Sequence, residues 1–138
     1  MIYLDTSAYL GVLLHEKGGE EIRKVLADKP LCSSTLLILE AERNLVRMNR
    51  EGILEADGCT AALAKLKEDT ELFFLKDLSL ELCLTSLFPP VQIPRSNDLV
   101  HLRTARWFQD HGGLEAFLTL DVKQRRAAQE FGLPLIST

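Results

Sequence analysis

Asp5, Asp98 and Asp121 stand where an acid either serves the start of a helix or binds a metal, and Glu40 is a fourth acid with no such place. Asp5 follows the strand-prone run Ile2, Tyr3 and Leu4 in "MIYLDTSAY", and Thr6 and Ser7 beside it carry further oxygens. Alone, that arrangement reads as the start of a helix, because Asp, Ser and Thr satisfy free backbone N–H groups there. Asp121 ends "FLTLD" in the same way, and "DVKQ" resembles a capping box in which Gln124 reaches back. Asp98 falls in the first turn of the helix that "RSND" introduces, where the macrodipole favours negative charge. Glu40 differs in kind, because it lies behind the apolar run of "TLLILEAERN", where a lone buried carboxylate is costly. Glu42 points to another helix face and suits a solvated role or a pair with Arg43 or Arg47.

If these acids converge, their repulsion raises their pKa values until a cation neutralises them. Oxygen-only ligands favour Mg²⁺ or Mn²⁺ over zinc, and such sites keep positions open to water and phosphate oxygens. Phosphodiester hydrolysis is the chemistry such a site performs. His101, three residues after Asp98 on the same helix side, could act as a ligand or general base, but a packed, hydrogen-bonded core histidine is the plainer expectation. His15 and His111 sit near helix ends, and Trp107 and Phe108 are expected in the core or a dimer contact rather than as a base-stacking platform.

Convergence depends on the elements that carry the acids. Strand-like runs at 2–5, "LCSS", "ELFFLK" (a buried strand) and "AFLTLD" alternate with helical stretches. The helices are expected in "TSAYLGVLLHE", at about 19–28, after Ser34 as cap up to Gly52, at 56–69, in "SLELCLTSLF", at 96–111 and in "VKQRRAAQEF". "VQIPRSN" reads as loop or a very short strand, Gly132 as a helix cap and "LPLI" as a last short strand. This alternation predicts an α/β fold, a three-layer sandwich with a mainly parallel central sheet covered on both faces. In such sheets the functional crevice lies at the carboxyl ends of the strands, where the strand order reverses.

The bulk properties bound the answer without deciding it. The 138 residues, 46% of them hydrophobic, suit a single domain over 1–138 with a real core. A net charge of −4 argues against a broad basic surface for nucleic acid and leaves room for a local basic rim. Cys32, Cys59 and Cys83 lack the spacing of zinc ligands or a redox motif, so reduced, mostly buried thiols are expected. No charged leader precedes a long apolar segment and no run approaches a membrane span, which points to a soluble cytoplasmic protein with no membrane partner.

Taken together, "YLDTSA", "SSTLLILEAERNL", "NDLVHLRTA" and "FLTLDVKQRRAAQEFGLPL" resemble the four acidic motifs of PIN-domain ribonucleases, especially VapC-type toxins of type II toxin–antitoxin systems. The resemblance spans the whole chain. It implies a metal-dependent endoribonuclease acting on RNA, held inactive by a small antitoxin and commonly a homodimer. It makes Asp5, Glu40, Asp98 and Asp121 the acidic quartet, with Asp5 and Asp98 as principal ligands of one or two Mg²⁺ or Mn²⁺ ions and Glu40 and Asp121 serving a second. Thr6, Ser7 and Thr119 would orient those ligands by hydrogen bonds. Leu99 departs from the pattern, in which a small residue more often follows the third acid. Among many exposed cations, Arg95, beside the third motif, is the first choice for an RNA phosphate contact.

Rival readings remain. A signalling receiver domain needs an acidic pair after the first strand, and a haloacid-dehalogenase-like phosphatase needs a second aspartate where Ser7 stands. A degenerate PIN domain serving as an RNA- or protein-binding scaffold keeps the fold and loses the chemistry.

Overall fold

The computed structural model describes residues 1–89 and 95–136. Its elements run β1 (Ile2–Leu4), α1 (Thr6–Leu13), α2 (Gly19–Leu26), β2 (Leu31–Ser34), α3 (Leu36–Arg50), α4 (Ala56–Leu72), β3 (Phe74–Lys76), α5 (Leu80–Leu84), α6 (Ser96–Asp110), β4 (Ala116–Leu118) and α7 (Val122–Glu130). The strands form one sheet in the order β3-β2-β1-β4, and every pairing is parallel. This is the α/β sandwich that the alternation of elements predicts, and none of the described helices is long and apolar enough to cross a membrane.

Side chains alternate across the sheet with period two. Ile2, Leu4, Ala116 and Leu118 face one core with Ala8, Leu37, Ala41, Leu45 and Leu66 of α1, α3 and α4. Tyr3 and Phe117 face the other, with Leu102, Phe108, Ala127 and Ala128 of α6 and α7. Strand β1 pairs with β2 on one side and β4 on the other, so Tyr3 lies between Cys32 and Phe117. The first and last segments of the chain therefore deliver their acids to neighbouring strand ends.

Helices α1 and α2 cross closely through two glycines. A Cβ on Gly19 would lie 2.3 Å from the Gly11 carbonyl oxygen. Glycine is what lets these backbones approach.

Several expectations change. "ELFFLK" contributes only the three-residue β3, which forms an edge of the described sheet, and Phe74 is 54% exposed rather than buried. "LPLI" forms no strand among the described residues. It touches β4 through one bond, Phe117 N–H to Pro134 O at 2.8 Å, while the Leu133 N–H bonds back to Ala128 and Pro134 has no N–H to give. Helix α5 covers half of "SLELCLTSLF". Thr35 rather than Ser34 occupies the N-cap position of α3 but makes no side-chain cap bond, while Ser34 Oγ accepts the Leu36 N–H at 3.1 Å. Cys32 and Cys59 are buried free thiols, but Cys83 is exposed. Residues 91–94 of "VQIPRSN" lie outside the described residues.

Candidate active site

The carboxyl ends of β1 and β4 are tied together by hydroxyls. Asp5 caps α1, its Oδ1 accepting the Ala8 N–H at 3.0 Å and the Ser7 hydroxyl at 2.7 Å. The Ser7 oxygen accepts the Leu120 N–H at 2.9 Å and lies 3.0 Å from the Thr119 hydroxyl, which accepts the Asp121 N–H at 3.1 Å. Asp121 stands three residues beyond β4 rather than at its end and caps α7, its Oδ1 accepting from Lys123 N at 2.8 Å and Gln124 N at 3.3 Å. Capping and a place in the site are therefore not alternatives for these two acids. The cap bonds of each fall on one oxygen.

Gln124 does not complete a capping box. Its buried side chain instead donates to the Asp98 carbonyl at 3.0 Å, fastening the first turn of α6 to α7 and so placing the third acid beside the fourth.

Glu40 reaches the same place from α3. Its Oε1 accepts the Thr6 hydroxyl at 2.8 Å and lies 2.7 Å from His101 Nε2, and its Oε2 is 3.5 Å from Asn97 Nδ2. Glu42 is exposed. The fifteen-residue α3 buries Leu37, Ala41 and Leu45 against the sheet, and Glu40 sits at the border of that stripe. His101 is the buried, hydrogen-bonded core histidine expected from its spacing, yet its Nε2 also touches the site.

Asp5, Glu40, Asp98 and Asp121 line one open cavity of about 490 Å³, together with Thr6, Ser7 and His101. Its electrostatics are those of crowded anions. Burial raises the Asp5 carboxyl above the usual aspartate range against the hydrogen bonds it accepts. Asp98 is raised by burial and then by the charge of Asp121, with Arg95 opposing and Asp5 adding to the shift. Burial also works to raise Glu40, but the hydrogen bond and the electrostatic pull of His101, with hydrogen bonds from Thr6 and Asn97, outweigh it and hold that carboxyl below its ordinary value.

No group of three His, Cys, Asp or Glu among the described residues is drawn close enough to enclose an ion. The donor set nevertheless fits a hard divalent cation. It consists of oxygens, it faces a cavity with room for water, and the negative charges of Asp121 and Asp5 bear directly on Asp98.

Arg95 is exposed at the N-cap of α6 and does not line the cavity, although its charge acts on Asp98. Arg47 does line it, from the turn of α3 where it pairs with Glu51 at 2.8 Å. The sequence reading missed Asn97, which is adjacent to Asp98, and Asn44, which is one turn beyond Glu40 and donates to the Glu40 carbonyl at 2.8 Å. Adjacency and helical spacing were the available signals. Met48 and Ile53 form an apolar wall with no sequence signal of their own.

The family model described as PIN domain matches residues 2–137. Among solved structures, the chain is similar to Mycobacterium tuberculosis VapC20, a sarcin-ricin loop cleaving toxin. The TM-score is 0.63 and the identity 14%, with 100% of each chain covered. It is also similar to PAE2754 from Pyrobaculum aerophilum, with a TM-score of 0.54 and 20% identity over 94% of this chain and 81% of that one. No curated protein matches the chain.

Proposed function

This chain belongs to the PIN-domain family, and from that premise we propose that it is an Mg²⁺- or Mn²⁺-dependent endoribonuclease hydrolysing RNA phosphodiester bonds, the toxin of a toxin–antitoxin pair. The observation that carries the proposal is the meeting of Asp5, Glu40, Asp98 and Asp121, from four distant segments, in one cavity. In this reading Asp5 and Asp98 are the main metal ligands, and Glu40 and Asp121 complete the site directly or through water. A bound divalent ion supplies polarisation of the phosphate and acidification of a water. Ser7 and Thr119 hold Asp5 beside the loop that carries Asp121, Gln124 holds Asp98 beside it, and Thr6 turns Glu40 toward the cavity. In this reading Arg47, on the cavity wall, and Arg95, at the N-cap of α6, are the cations offered to RNA phosphates.

A small antitoxin partner, a homodimer and a cytoplasmic setting belong to the same reading, supported by the fold shared with a VapC toxin. A degenerate scaffold would need no such set of acids around one opening. The test is incubation of partner-free protein with total RNA in Mg²⁺, in Mn²⁺ and in chelator, beside Asp5→Asn. Cleavage is expected with either ion and is lost in chelator and in the variant. RNA left intact under every condition, or cut equally by Asp5→Asn, refutes the assignment.

A further inference from the structure

Tyr3 and His101 form a buried pair for which the cleavage chemistry above has no role. Tyr3 is the middle residue of β1, fully buried, its ring stacked on Phe117 with centroids 5.3 Å apart. Its hydroxyl lies 2.7 Å from His101 Nδ1, and the opposite ring nitrogen, Nε2, lies 2.7 Å from Glu40 Oε1. His101 is 2% exposed, whereas the Glu40 side chain is 22% exposed. A line of hydrogen bonds therefore runs from the core beneath the sheet to a carboxylate on the cavity wall.

The chemistry of the two ends sets the direction of the line. A carboxylate can only accept, so Nε2 carries the proton that faces Glu40. In the neutral ring Nδ1 is then bare, and the Tyr3 hydroxyl donates to it, fixing both the tautomer and the ring plane. Thr6 donates to the same Oε1 at 2.8 Å, so that oxygen accepts two protons from the protein. Oε2 is the oxygen left facing Asn97, at a long 3.5 Å.

We propose that Tyr3 and His101 are positioning residues that lock Glu40 through Oε1, so that Glu40 meets a divalent ion with Oε2 alone, as a single-oxygen ligand. This rests on the metal-dependent reading above. A partner whose only role were to fill the core would be indifferent to the ion. A partner that orients a ligand changes the affinity for the ion, typically about 10–100-fold.

The experiment is calorimetric titration of the chelator-stripped whole chain with Mn²⁺, with folding followed by circular dichroism. The proteins are wild type, Tyr3→Phe, His101→Ala, His101→Gln and the Tyr3→Phe, His101→Gln double variant. His101→Ala is expected to weaken Mn²⁺ binding about 10–100-fold. His101→Gln, which returns an N–H near the place of Nε2, is expected to recover most of that loss. Tyr3→Phe is expected to weaken binding about 2–10-fold, the worth of one neutral hydrogen bond. It should have no effect in the His101→Gln background, where no imidazole remains to orient. Unchanged affinity in a folded His101→Ala overturns the proposal, as does a Tyr3→Phe loss of equal size in both backgrounds. If His101→Ala does not fold, the comparison of those two backgrounds decides. A wild type that binds no Mn²⁺ instead overturns the metal-dependent reading and this inference with it.

Discussion

Ser7→Ala isolates the hydroxyl that joins the two strand ends. In the folded protein that oxygen donates to Asp5 Oδ1 at 2.7 Å, accepts the Leu120 N–H at 2.9 Å and touches the Thr119 hydroxyl at 3.0 Å. A hydrogen bond to a charged group contributes about 1.5–3 kcal/mol, and an orphaned N–H costs about 1–3 kcal/mol. The two losses overlap, and water from the open cavity can reach part of the gap, so the expected destabilisation is about 2–3 kcal/mol. At roughly 3–4 °C per kcal/mol for a domain of this size, the melting temperature should fall by about 6–12 °C. The assay is thermal unfolding by circular dichroism at pH 7 in chelator. The same substitution in the Asp5→Asn background should lose about half as much, because the charge-assisted share is already gone. A Ser7→Ala protein that melts within about 2 °C of wild type would refute the account of how β1 and β4 are tied.

Three further outcomes follow from other parts of the molecule. The Asp98 carboxyl is raised by burial and by Asp121 and Asp5, so its protonation favours the fold. That stabilisation is complete below the ordinary aspartate value, near pH 4, and is lost as pH rises through the raised value. Asp98→Asn should therefore melt above wild type at pH 7 in chelator, with the gap closing toward pH 4. Saturating Mn²⁺ should reverse the order, and a lower melting point in chelator at pH 7 would contradict this electrostatic account. Gly19→Ala should cost about 3 kcal/mol, because the new Cβ would meet the Gly11 carbonyl oxygen at 2.3 Å and its carbon at 2.7 Å, both backbone atoms. Gly112→Ala, with nothing within 4 Å, should stay within about 0.5 kcal/mol; equal chemical-denaturation midpoints for the two would dismiss the close crossing.

The acids were legible in the sequence because each interrupts a local pattern. Asp5 and Asp121 follow apolar strand-prone runs, Asp98 follows a helix-opening "RSN", and Glu40 breaks an apolar stretch. What gathers them was not legible, since parallel pairing of residues 2–4 with 116–118 leaves no local mark. Neighbouring side chains show the same divide. His101 could be placed on the Asp98 side of α6 by helical spacing, but its contacts with Tyr3 and Glu40 cross 98 and 61 positions. Gln124 fits a local capping box equally well on paper, and only the packing of α7 against α6 turns it to Asp98. Phe74 was misplaced because a short apolar run looks alike in a central strand and at a sheet edge.

The position of β1 between β2 and β4 has a consequence for synthesis on the ribosome. The strand made first acquires its second neighbour only after residues 116–118 have been translated, and Asp121 follows three residues later. A nascent chain that stalls or is cut short before that point holds Asp5 and Glu40 with an incomplete sheet and without the fourth carboxylate. If the finished protein degrades RNA, its order of strands delays that hazard until translation has passed Asp121.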